Sequence, residues 1–255
     1  MDPKKIQEIR NQMEYERTRN SPPEDFPKLP EIPGKRYTDQ NLFDLEMEKI
    51  FLKSWLMVFR EDEIPNTGDY KIWDKLGRDI LVVRQKDNSI KAFYNTCMHR
   101  GAPVVRDKKG STKLLRCQYH SWAYDLGGNL IKVPDMRDFK DFDISCKGLK
   151  KVYCDTWDGW VYISLSKTDP GSLIDFLNPV AKELECFNSS ELITVYKKTV
   201  TVKANWKTCL DAFMEVYHAP TIHKDTVNIL LDGNAMVAGL LKNGHSRMVT
   251  PKKMN

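Results

Sequence analysis

Nothing in the 255 residues is apolar for long enough to cross a bilayer; the longest runs, such as Ile80-Leu81-Val82-Val83, end after a few residues. The opening MDPKKIQEIRNQMEYERTRN is charged throughout and lacks the apolar centre of a secretory leader. Both absences predict a cytoplasmic protein with no membrane segment. Glycine and proline, 13 of each, are too few for a collagen, a linker or a low-complexity chain, and no internal repeat is visible. A large excess of one charge is missing too, since 40 Lys and Arg face 35 Asp and Glu. Lys242, Arg247, Lys252 and Lys253 lie after residue 240 with no acid beside them, a weak case for nucleic acid, and no such partner is expected. With no leader, six cysteines predict free thiols or metal ligands rather than a disulfide framework. Histidine is scarce: of five, four fall into two groups, His99 with His120 and His218 with His223.

What is present fits a globular chain long enough for one large domain or two ordinary ones. Ile6, Ile9 and Met13 recur at helical spacing in residues 1–20, and SPPEDFPKLPEIPG then predicts an extended arm draped over something. A second helix is expected from Asp39, capped by Asn41, with Leu42, Leu45, Met47 and Ile50 on its apolar face. Strands are predicted at Trp55–Phe59, Tyr70–Trp73, Asp79–Val83, Ile90–Tyr94 and Val161–Ile163, with turns at Asn66-Thr67-Gly68, Lys86-Asp87-Asn88 and Trp157-Asp158-Gly159-Trp160. Beyond a composition change near Lys167–Gly171, the pattern predicts a helix over Ser172–Phe187, a strand over Glu191–Ala204 and an amphipathic helix over Trp206–Tyr217.

Cys97-x-His99 and, seventeen residues on, Cys117-x-x-His120 supply one thiolate and one imidazole from each of two loops. Such a Cys₂His₂ set suits tetrahedral zinc, and equally a Rieske 2Fe-2S centre in which two Cys hold one iron and two His the other. The mixed pairing within each loop and the apolar shell of Pro103-Val104-Val105 and Ser121-Trp122-Ala123-Tyr124 favour the redox centre. On a helical wheel of NWKTCLDAFMEVYHAPTIH, Trp206, Leu210, Phe213 and Tyr217 fall within about 60° of one another, with Asp211, Glu215 and His218 opposite. Pro220 is expected to stop the helix, so that His223 folds back toward His218. Two His and a carboxylate match an iron(II) facial triad, although the same stripe is also what a solvated face looks like.

The segments NTCMHRGAPV and LLRCQYHSWAYDLGG resemble the paired loops of Rieske non-heme iron oxygenases, the ring-hydroxylating oxygenase α-subunits, and NWKTCLDAFMEVYHAPTIH resembles their iron-binding signature. The resemblance implies an α+β fold: an arm over 1–52, an antiparallel β Rieske domain over 53–166, and the first part of a helix-grip (Bet v1-like) catalytic domain over 167–255. It implies that Cys97, His99, Cys117 and His120 hold the 2Fe-2S cluster, that His218 and His223 bind mononuclear Fe(II), and that Glu215 bridges toward a Rieske cluster. The third iron ligand of the family is an Asp far downstream; Asp225 and Asp232, the only acids after His223, do not match it, so this ligand is not in the chain, which reads as a fragment. The sequence also departs from the family pattern at Asp211 and Ala212.

The implied activity is hydroxylation of an organic, aromatic substrate with O₂ and NAD(P)H-derived electrons from a separate reductase or ferredoxin, in a homotrimer with or without β-subunits. Glu at the bridging position occurs also in members acting on quaternary amines such as carnitine or choline. Two alternatives remain at this stage, a Rieske electron-transfer protein without a working iron site and a zinc-binding module.

Overall fold

The computed structural model describes residues 1–253. The chain forms two compact units, a β unit of residues 45–175 and 188–197, and a helical unit of residues 1–44, 176–187 and 198 onward.

In the β unit the strands β1 (Trp55–Arg60), β2 (Asp69–Trp73), β3 (Ile80–Arg84) and β4 (Ile90–Tyr94) lie where β-branched and aromatic runs meet turn signals. They are followed by β5 (Lys109–Ser111), β6 (Leu115–Arg116), β7 (Ala123–Tyr124), β8 (Leu130–Lys132), β9 (Lys151–Trp157) and β10 (Trp160–Ser164). A seven-stranded sheet has the order β1-β10-β9-β4-β3-β2-β5, and β6-β7-β8 form a small second sheet. The β9–β10 hairpin turns through Asp158 and Gly159, both at positive φ (48° and 80°), the primed geometry whose twist suits a two-residue hairpin.

Strand β3 shows why the fold needs its one long apolar run. Leu81 and Val83 join a core with Phe93, Cys97, Cys117, Trp122 and Tyr124, whereas Ile80 and Val82 join another with Phe59, Ala92, Val161 and Ile163. All four are fully buried, so the strand has no solvent side and reads as continuous rather than alternating. Each such side chain contributes about 1.5–3 kcal/mol of hydrophobic stabilisation. The first of these cores is the floor of the Cys/His loops.

The segment 188–197 is tied back to this sheet by polar contacts. Asp158 accepts from the Ser189 and Ser190 amides at 2.9 Å each, Arg60 donates to the Ser189 and Leu192 carbonyls at 2.8 and 2.6 Å, and Asp62 accepts from Thr194 N–H at 2.7 Å.

In the helical unit Pro3–Thr18 is a helix as expected, with Asp2 accepting from Lys4 N–H at its start and Ile9 buried. It packs against β11 (Val237–Leu240), which pairs with β12 (Ser246–Val249), and Arg17 reaches Asp232 at 3.1 Å.

Several expectations are corrected. The proline-rich arm has no regular structure and is not draped over a surface: Phe26, Leu29 and Ile32 are exposed. The helix after it spans Gln40–Glu46 and continues as a wide turn to Phe51; Asp39, not Asn41, caps it, accepting from Asn41 N–H at 2.8 Å. The helix over Ser172–Phe187 is split into Leu173–Leu177 and Val180–Leu184, because Pro179 has no amide to donate. Residues 192–204 form no strand, since no neighbouring strand supplies hydrogen bonds. The helix from Trp206 ends at Asp211 rather than Tyr217. Its apolar stripe is uncovered, with Phe213 and Tyr217 exposed, and an uncovered stripe of mostly aromatic residues cannot hold a helix by propensity alone.

Candidate metal centres

The two ligand loops prove to be the same turn built twice. In the first, Cys97 N–H donates to Ala102 C=O at 2.8 Å and Gly101 N–H donates to Cys97 C=O at 2.9 Å. In the second, Cys117 N–H donates to Trp122 C=O at 2.9 Å and Ser121 N–H to Cys117 C=O at 3.0 Å. The residue four after each cysteine has positive φ, Gly101 at 76° and Ser121 at 58°. Glycine adopts that conformation freely; serine pays for it sterically. Asn95, buried beneath the first loop, accepts from the Val104 and Val105 amides at 3.0 Å each and donates to Val105 C=O at 2.9 Å.

These turns bring all four predicted ligands together. Cys97 and Cys117 are both buried, and the Cys117 thiol is close enough to act on that of Cys97. His99 and His120 pair with ring centroids 4.6 Å apart; His99 stacks on Trp122 at 4.7 Å and 9°, and Tyr119 lies 3.9 Å from the His120 ring. Burial falls from thiols to imidazoles: His99 is half-buried and His120 exposed. Burial pushes the Cys97 thiol up, with Cys117 adding to it, and burial also holds His99 below its usual range, helped by His120 and Arg100. His99 is therefore a neutral ring ready to ligate, while a bound metal would reverse the thiol's shift and deprotonate it.

The buried Nδ1 of His99 has no hydrogen-bond partner. A buried nitrogen left unpaired is costly, and a metal on its lone pair removes that cost. Among the described residues no three His, Cys, Asp or Glu side chains could hold one ion. With thiols grouped on one side and imidazoles on the other, the donor set fits two irons with two protein ligands each better than a single tetrahedral zinc. Sequence reasoning overlooked Tyr124 as more than a shell residue. Its hydroxyl accepts from Met98 N–H at 3.1 Å and lies 3.2 Å from Cys97 Sγ, where it can donate to the sulfur. Asn95 was missed as well; both act across the fold, and only their nearness to Cys97 or to Cys117 hinted at them.

At the second site the broken helix sets Glu215, His218 and His223 on consecutive turns rather than on one helix face. Pro220 does not stop a helix; it sits in the first turn of a new one, Ala219–Ile222, where its missing N–H costs nothing. Glu215 grips His218 with both oxygens, Oε1 2.5 Å from Nδ1 and Oε2 accepting from the backbone N–H at 3.1 Å. The His218 hydrogen bond, the largest cause, holds the Glu215 carboxyl below its usual range. With its proton on Nδ1, His218 has its lone pair on Nε2. The His223 ring lies 5.3 Å from that of His218. Asp211 is directed elsewhere, to the Tyr37 hydroxyl at 2.8 Å, and Asp232 pairs with Arg17.

Residues 54–146 match the Rieske [2Fe-2S] domain family, and residues 189–254 match the ring hydroxylating alpha subunit (catalytic domain) family. The chain is a homologue of Rieske oxygenase large subunits. It is 35% identical to the carnitine monooxygenase oxygenase subunit of Escherichia coli (strain K12), over 79% of this chain and 55% of the relative. It is 37% identical to the large oxygenase component of the 2,4-dinitrotoluene dioxygenase system of Burkholderia sp. (strain RASC), over 81% and 47%. Among solved structures, the quaternary ammonium Rieske monooxygenase CntA in complex with L-carnitine superposes with a TM-score of 0.74 at 27% identity, over 81% of this chain and 62% of that one. This Rieske oxygenase homologue thus spans about half the length of the curated relatives it matches.

Proposed function

We propose that the chain is the Rieske and iron-binding part of an oxygenase component that hydroxylates an organic substrate with O₂. Residues 1–52 form its arm, 53–166 its Rieske domain and 167–255 the beginning of its catalytic domain. Cys97 and Cys117 hold one iron of a 2Fe-2S cluster and His99 and His120 the other, while His218 and His223 hold mononuclear Fe(II). Bound there, the cluster supplies one-electron storage and the Fe(II) supplies activation of O₂. Tyr124 steadies the Cys97 sulfur, and Trp122 shields His99 from water. Glu215 fixes the His218 tautomer and bridges to His120 of a neighbouring protomer in a homotrimer. Inter-subunit electron transfer is described for the quaternary ammonium Rieske monooxygenase, which supports that arrangement. Electrons come from NAD(P)H through a separate reductase or ferredoxin. Six cysteines with no disulfide, and no helix long and apolar enough to cross a membrane among the described residues, support a cytoplasmic setting.

The observation that carries this reading is the pair of hydrogen bonds that Glu215 accepts from His218 beside His223, for which an electron carrier has no use. Iron and acid-labile sulfide analysis with EPR of the reduced protein tests it. Two irons with sulfide alone leave a carrier; a third iron bound at His218 and His223 makes an oxygenase; zinc without sulfide removes both. Replacing Glu215 with Ala should leave cluster absorption intact and, in the complete protein, abolish product formation; full turnover in that variant ends the bridging role.

For the substrate, a second reading is a quaternary amine in place of an aromatic ring. It is supported by Glu at position 215 and by the similarity to carnitine and glycine betaine monooxygenase subunits. Product analysis with L-carnitine, glycine betaine and an aromatic hydrocarbon in parallel decides between them.

A further inference from the structure

The helix that leads into the second site has little of its own to hold it. Trp206–Asp211 is six residues long, below the length at which a helix is stable alone. The apolar side chains on it and just after it, Leu210, Phe213 and Tyr217, are exposed. Its last residue is an acid, which meets the negative end of the helix dipole. The helix therefore depends on contacts from outside, and Tyr37 of the arm touches it at three points.

At the start of the helix the Asn205 carboxamide works in two directions. Its oxygen caps the helix, accepting from Lys207 N–H at 3.0 Å, and its nitrogen donates to Tyr37 C=O at 3.1 Å. At the end, the Tyr37 hydroxyl donates to Asp211 Oδ2 at 2.8 Å. Between them the Lys207 ammonium lies 5.9 Å over the Tyr37 ring. One tyrosine thus spans the helix, its carbonyl on the cap and its hydroxyl on the last residue. The Asp211 hydrogen bond, the largest cause, holds the Tyr37 phenol above its usual range, so the proton stays on the oxygen. Tyr37 is itself seated in a single helical turn, Lys35–Thr38, where its N–H donates to Gly34 C=O at 3.0 Å.

This clamp lies one turn from the imidazoles. Asp211 C=O accepts from Met214 N–H at 3.1 Å, Glu215 follows directly, and Glu215 accepts from both the ring and the backbone of His218. We propose that Tyr37 is a positioning residue for the His218–His223 site: by fixing the cap and the last residue of Trp206–Asp211, it sets the place from which Glu215 presents His218 to a metal. This rests on the reading of His218 and His223 as metal ligands. The rival account is that Asp211 acts on the site through its charge alone. Only a hydrogen bond makes Tyr37 and Asp211 depend on one another.

The test is equilibrium dialysis of the full chain, its cluster oxidised and so EPR-silent, against Co(II), with bound cobalt read by metal analysis and by its high-spin EPR signal. Tyr37→Phe keeps the ring and the backbone carbonyl and removes only the hydroxyl. It should weaken Co(II) binding about three- to tenfold and alter the cobalt signal, with the cluster absorption unchanged. Asp211→Ala should lose about as much, and the double variant Tyr37→Phe with Asp211→Ala no more than either alone. Asp211→Asn keeps an acceptor oxygen without the charge and should retain the parent's affinity. Asp211→Ala reads the same bond should Tyr37→Phe not fold. Parent affinity in Tyr37→Phe overturns the clamp, as do losses that add in the double variant or an Asp211→Asn variant as weak as Asp211→Ala. Co(II) binding in the parent that survives His218→Ala with His223→Ala overturns instead the metal reading of the two histidines on which the clamp rests.

Discussion

Tyr124 sits at the point where a side chain can tune the first site most directly. Its hydroxyl already accepts from Met98 N–H, which leaves its own proton for Cys97 Sγ. A hydrogen bond to a ligand sulfur favours the reduced, more negative cluster. Tyr124→Phe should therefore lower the reduction potential; one bond of about 1 kcal/mol corresponds to roughly 40 mV for a one-electron couple. Protein-film voltammetry reads this, and an unchanged potential would place the tyrosine in packing alone. The sequence marks it only as a shell residue near Cys117, because its partner Cys97 is 27 positions away and only the fold joins them. Spacing could single out the four candidate ligands because each pair lies within one short turn; it could not name what touches them from another strand.

Elements were legible to the degree that their reasons were local. Strands β1–β4 fall within a residue or two of their predicted limits, since alternation, a two-sided core and turn residues all act over short range. The helix expected to run to Tyr217 and the strand expected over 191–204 needed partners that the described residues do not supply, and periodicity cannot say whether a partner exists. The duplicated loop turn escaped notice because its repeat is in backbone hydrogen bonds rather than in residues. It carries a prediction of its own: Ser121→Gly relieves the left-handed serine and should stabilise the β unit by about 0.5–1 kcal/mol, the folded-state gain being partly offset by a more flexible unfolded chain. Calorimetric unfolding of parent and variant in the same cluster state checks the sign.

A second element-level prediction concerns acid. Glu63 accepts from Lys71 and from Lys197, the latter at 3.1 Å. Burial alone would raise its pKa, but the two ammonium groups outweigh it and hold the carboxyl below its usual range. A lowered folded-state pKa adds stability that is fully present above the unfolded value near pH 4.3 and is lost as pH falls through the folded value. The unfolding temperature of the parent should exceed that of Glu63→Gln at neutral pH and converge on it in acid; a constant gap from pH 7 to 3 would refute the linkage.

At the scale of the whole molecule the polypeptide is unevenly finished. The β unit has two closed cores, whereas Ile193, Val195, Tyr196, Val200 and Val202 present an uncovered run, 60–88% exposed, with no strand paired to it among the described residues. Extended segments of this composition seek strands from other chains. The chain should self-associate in a concentration-dependent way, and Val195→Lys with Val200→Lys should shift it toward smaller species by light scattering; indifference to both substitutions would place the contact elsewhere.

Strand β3 is the common wall of both cores of the β unit, with alternate residues committed to opposite sides. Its amide hydrogens can meet deuterated solvent only when that wall itself opens. They form a single clock for the unit, slowed by anything that tightens the ligand loops on one side and quickened by anything that loosens the β1–β10 edge on the other.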